Sequence, residues 1–64
     1  MIENVDGRVI ECRDCMDGYS IEVNGNQVWW VYYSEAKPEM KAEIAFSSIV
    51  AALKSIAALN QRNG

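Results

Sequence analysis

Cys12-Arg13-Asp14-Cys15 is the one stretch whose residue types and spacing resemble a reactive or metal-binding site. A C-x-x-C pair can supply half of a structural zinc site or act as a redox couple. A closed zinc site needs four ligands of the cysteine or histidine kind. This chain has no histidine and no further cysteine, so Cys12 and Cys15 could hold a metal only if two chains shared it. A redox pair of the thioredoxin kind starts a helix, whose N-terminus lowers the thiol pKa. Here the pair ends an extended segment and has acidic neighbours, which raise it. The plainer reading, two free thiols with Cys12 as a small core residue, is preferred. No cofactor is expected.

Glu11, Asp14 and Asp17 are the nearest approach to a cation or acid–base cluster. Calcium loops alternate oxygen ligands closely and close with a bidentate Glu. Asp14-x-x-Asp17-Gly18 does not, and reads as a solvated acidic loop. There is no histidine base, no glycine-rich phosphate loop and no nucleophile elbow. Sixty-four residues also leave little room to enclose a ligand cavity of about 300 Å³. Catalysis is not expected.

The net charge is −3 and unevenly spread. Residues 1–33 hold six acids and two bases; residues 34–64 hold three acids and four bases. An acidic first half does not suit a phosphate backbone, and aromatic residues without a cationic groove make a poor base-stacking platform. Nucleic acid is therefore not expected as a partner. No secretory leader follows Met1, which points to a cytoplasmic protein.

Whatever these residues do must be positioned by the run Val28-Trp29-Trp30-Val31-Tyr32-Tyr33, which holds both tryptophans and two of the three tyrosines. Branched and aromatic side chains suit a pleated strand and lose rotamer freedom in a helix. Before it, Asp6-Gly7 and Asn24-Gly25 are tight-turn dipeptides between apolar runs. The expected fold is α+β: a four-stranded antiparallel meander over about 1–5, 8–13, 19–23 and 27–33. A helix from about 38 to 60, opened by Pro38, covers one face, and residues 1–64 form a single domain.

Register decides which rings are buried, since a one-residue slip exchanges the faces of a strand. A two-residue turn at Asn24-Gly25, or at Gly25-Asn26, places Val28, Trp30 and Tyr32 beside Tyr19, Ile21 and Val23, under the helix; a three-residue loop would bury Trp29, Val31 and Tyr33 instead. The two-residue form is expected. Between the second and third strands, a four-residue loop sets Cys12 opposite Tyr19 and Ile10 opposite Ile21. On the helix, Phe46, Ile49, Val50, Leu53, Ile56 and Ala57 form the stripe facing the sheet. Its back, Ser47, Ser48, Ala51, Ser55 and Ala58, is either ordinary exposed surface or a seam for close helix–helix contact. With three serines and Lys54 in it, the apolar stretch falls short of the roughly 20 residues a bilayer requires, so no membrane span is expected.

That arrangement leaves Trp29, Val31 and Tyr33, flanked by Glu22, on the uncovered face as a partner-binding patch. The functional expectation is a small acidic module that binds a protein partner and self-associates as a homodimer. Two alternatives come from other classes. One is a compact acidic inhibitor, or nucleic-acid mimic, that fills a basic site through Glu11, Asp14, Asp17 and Glu22. The other is metal or redox chemistry at Cys12 and Cys15.

Overall fold

The computed structural model describes residues 1–63, with Asn63 described by its backbone alone. Gly64, the last residue of the expected domain, lies outside the described residues. The fold is α+β, as the sequence predicts. Four strands, β1 (Ile2–Val5), β2 (Arg8–Asp14), β3 (Gly18–Val23) and β4 (Asn26–Tyr32), form one antiparallel sheet in the order β1-β2-β3-β4. A single helix, α1 (Pro38–Asn63), packs on one face.

Both dipeptide turns have the backbone their residues dictate. Asp6 and Gly7 take φ of 52° and 82°, and Asn24 and Gly25 take 50° and 82°. Two successive positive-φ residues make the mirror-image turn whose twist matches that of the flanking strands. Asn24 also joins the two hairpins. Its N–H donates to the carbonyl of Val9 at 2.8 Å, and its Oδ1 accepts the Val9 N–H at 2.9 Å.

The β2–β3 register differs from expectation by two residues: Cys12 lies opposite Ile21 and Asp14 opposite Tyr19. The Cys15 N–H bonds the Gly18 carbonyl at 2.8 Å, so the connection tightens to Met16-Asp17 and the ladder gains a rung. A shift of two leaves every side chain on its expected face.

The expected β3–β4 pairing is overturned. The Asn24-Gly25 turn is the two-residue form and pairs Val23 with Asn26 and Glu22 with Gln27. The register then slips, so that Ile21 faces Trp29 and Val28 is an unpaired β-bulge residue. One extra residue exchanges the faces of the rest of the strand. Trp29 packs on the core, Val31 is 1% exposed, and Val28, placed inward by the sequence reading, is 53% exposed. Trp30 and Tyr32 turn to the uncovered face. The bulge matches sizes across the strands: Trp30 lies opposite Ser20, Tyr32 opposite Gly18, and Tyr19 opposite Val31. An uninterrupted ladder would set Tyr19 against Trp30 on the covered face, two large rings where the helix must also fit.

The core comprises Val5, Ile10 and Ile21 of the sheet with Phe46 and Val50 of the helix. Cys12, Val23, Trp29, Ala45, Ile49, Leu53 and Ala57 pack around it. Ile56, expected on this stripe, is 46% exposed. The helix runs about 39 Å at 1.5 Å per residue, against about 23 Å for a seven-residue strand. Its final turn projects past the sheet, while Ile56 stands on the flank of a stripe whose centre Leu53 and Ala57 hold.

Candidate interaction surface

The face of the sheet opposite the helix is uncovered. β1 places Ile2 there and β2 places Val9, Glu11 and Arg13, because these alternate with the buried Val5, Ile10 and Cys12. β3 contributes Ser20 and Glu22, and β4 contributes Trp30 and Tyr32. Their rings meet edge to face, with centroids 5.6 Å apart and planes at 81°, a preferred geometry for aromatic pairs. Two small residues make room for them. Ser20 is 1% exposed, and a Cβ on Gly18 would stand 3.0 Å from Cζ2 of Trp30. The Trp30 ring therefore lies across β3 rather than standing free. Tyr32 is 54% exposed, and on the same face Ile2 of β1 and Val9 of β2 are 65% and 40% exposed.

An ion pair borders the aromatic pair. Arg13 Nη1 lies 3.4 Å from Glu22 Oε2, and the Ser20 hydroxyl donates to the same oxygen at 3.5 Å. Glu22 is thus the one expected partner-binding residue found on the open face. Trp29 and Val31 lie under the helix. Tyr33 sits at the margin of the helix side, edge to face with Tyr19 at 5.0 Å, and its hydroxyl donates to the Cys15 carbonyl at 2.7 Å. The signal that identifies Trp30 and Tyr32 instead is the alternation of Gly18 and Ser20 with Tyr19 and Ile21. Small residues on one face of β3 mark where its neighbour's rings must lie.

The open edge of β4 is closed at one end. The Tyr33 N–H bonds the Asp17 carbonyl, so the Tyr32 N–H points away from β3. Glu35 Oε2 accepts it at 2.9 Å, while Glu35 Oε1 lies 3.7 Å from Lys41 Nζ on the helix.

Cys12 and Cys15 are both half-buried free thiols. Cys12, on the helix side of β2, has its pKa raised by burial and eased by the nearby amino terminus, with Asp14 and Cys15 pushing it up again. Extended chain from Cys12 to Cys15 spans about 10 Å between Cα atoms, beyond the roughly 4.4–6.8 Å a disulfide allows. The pair cannot close while the β2–β3 ladder is intact. Cys12 also lines a hollow of 220 Å³ with Met1, Asp14, Tyr19, Glu39, Ala42 and Glu43. Burial pushes the Tyr19 phenol up, with Glu39, Asp14, Tyr33 and Cys12 adding to it. Tyr33 is raised by partial loss of water, then by Asp14 and Cys15. Among the described residues, no three Cys, Asp or Glu side chains converge to hold a metal ion.

The acidic residues do not gather into one surface. Glu11 and Glu22 lie on the open face, Asp14 at the hollow and Asp17 in the β2–β3 turn. Helix α1 is long and apolar enough by length and composition to cross a membrane, and little of it is buried. Compared with known proteins, the chain matches no family model, no curated protein and no solved structure.

Proposed function

We propose that this protein acts by binding another protein through the uncovered face of its sheet, without catalysis. The observation that carries this reading is the Trp30–Tyr32 pair, held edge to face on the same sheet face as exposed Ile2 and Val9. Isolated apolar side chains on a surface need no explanation. An exposed aromatic pair that shares its face with further apolar side chains is the composition that dominates binding energy at protein interfaces. The Arg13–Glu22 pair at its border supplies the polar rim that orients a partner. The surface is rigid, since Trp30 is seated over Ser20 and Gly18, so little side-chain entropy is lost on docking.

The test uses the intact protein as bait. Tyr32→Ala and Ile2→Ser remove exposed side chains and leave the core untouched. A partner held by this face is lost with either variant and retained by Leu59→Ser on the helix. Capture that ignores Tyr32 and Ile2, or no stoichiometric capture by the native chain, refutes the proposal.

A further inference from the structure

The outward side of α1 is an apolar surface that the fold leaves without a neighbour among the described residues. At about 100° per residue, the side chains packed on the sheet, Ala42, Phe46, Ile49, Val50, Leu53 and Ala57, fall on one side. Diametrically opposite run Met40, Ile44, Ser48, Ala51, Ser55 and Leu59, all exposed. Met40, Ile44 and Leu59 are 52%, 62% and 55% exposed. Lys41, at the same azimuth as Leu59 and ion-paired with Glu35, lies at the N-terminal end of this strip; from Ile44 to Leu59 the strip carries no charged residue, and Glu43 and Lys54 sit together along one flank of it.

We infer that this strip docks a second copy of the same chain, the two helices running antiparallel about a two-fold axis. The sequence is self-complementary in that arrangement. With the axis between Ile49 and Val50, Ile44 of each copy meets Ser55 of the other and Ser48 meets Ala51, while Leu59 lies along the aliphatic stem of Lys41 of the second copy. The large side chains thus lie toward the ends and the small ones at the centre. The smallest pair sits beside the axis, where the backbones come nearest, and helices approach to about 8 Å at such contacts. Charge agrees as well. The two-fold axis keeps each flank facing the same flank of the second copy. Lys54 of one copy then lies within about two residues, some 3 Å along the axis, of Glu43 of the other. This opposite-charge contact occurs twice by symmetry.

The pairing stacks sheet, helix, helix and sheet, and both Trp30 faces remain outermost and free. Self-association is therefore separate from partner binding and does not rest on it. The helix strip, about 39 Å long and roughly 10 Å wide, gives a footprint of about 400 Å² per copy. That is half the roughly 800 Å² of a standard interface, which makes the dimer reversible on dilution.

Sedimentation equilibrium of the full chain, over a dilution series reaching about 1 mM, tests the inference. The expected result is a monomer–dimer equilibrium abolished by Ala51→Glu, with an unchanged far-ultraviolet dichroism spectrum. Glu43→Lys weakens the dimer at least tenfold, and adding Lys54→Glu to it restores the native constant, a rescue that misfolding would not give. Tyr32→Ala leaves the equilibrium unmoved. A monomer at every concentration overturns the inference, as does a dimer indifferent to Ala51→Glu or one lost with Tyr32→Ala. A chain that is monomeric in buffer yet pellets with phosphatidylcholine vesicles would assign the strip to a bilayer and equally overturn it.

Discussion

Gly18 is the residue on which the open face most depends, for a steric reason. A Cβ there would overlap the Val31 carbonyl oxygen, a backbone atom that cannot move aside, and press on the Trp30 ring. Gly18→Ala therefore has to part β3 from β4. The expected loss is about 3 kcal/mol or more, out of the roughly 3–10 kcal/mol available to a domain of this size. Urea unfolding measures it, and a midpoint within error of the native protein would contradict the account. Cys12 supports a second residue-level prediction. Burial raises its pKa, so the folded chain keeps a proton that the unfolded chain releases at lower pH. That contribution to stability is fully present below the ordinary thiol range and is lost as pH rises through the raised value. Tyr19 and Tyr33 are raised too, and act with the same sign at higher pH. The urea midpoint should fall between about pH 8 and pH 10.5, and in the same experiments Cys12 should alkylate more slowly than a fully exposed thiol. A midpoint that held or rose with pH would exclude this.

At the scale of elements, four strands, two mirror-image turns and one helix were legible in the sequence because each is specified locally. Asp-Gly and Asn-Gly supply the positive φ, period-two alternation marks β3, and Pro38 opens the helix. The bulge at Val28 was not legible from β4, since nothing in Gln27-Val28-Trp29-Trp30 distinguishes a bulged strand from a regular one. Its cause lies on the neighbouring strand, in the small side chains of Gly18 and Ser20, and the correct turn alone gave the wrong face for Trp29 and Trp30. For that reason the expected patch of Trp29, Val31 and Tyr33 was displaced by one residue to Trp30 and Tyr32, while Glu22, which precedes the slip, kept its place. Ile56 was misplaced for a different reason: it stands on the flank of the helical stripe, whose centre at that level is held by Leu53 and Ala57. The connector before the helix holds one strained position. Lys37 takes φ of 48° immediately before Pro38, a left-handed conformation that glycine adopts without steric cost. Lys37→Gly is expected to stabilise the fold by about 0.5–1 kcal/mol, raising Tm by a few degrees. A lower Tm in calorimetry would mean that Lys37 makes up for its strain through another interaction.

For the whole molecule, the governing fact is shape. The chain measures 44 × 19 × 15 Å, an elongated body whose long dimension is set by a helix that outreaches its sheet. Its core is one layer thick, so the outer sheet face and the outer helix strip are separate surfaces on opposite sides. Among the described residues no third layer covers either of them. The two exposed faces differ in character, aromatic on the sheet and aliphatic and narrow on the helix.

The meander topology has a further consequence during synthesis. Every strand pairs with the one made just before it, so the sheet can assemble hairpin by hairpin as the chain leaves the ribosome, with Asn24 fastening the second to the first. The element that shields Ile10, Ile21 and Trp29 from water is translated after all four strands. Until Phe46 and Val50 dock, the sheet carries a bare greasy underside, and whatever delays the docking of the helix would lengthen its exposure to chaperones and to other chains.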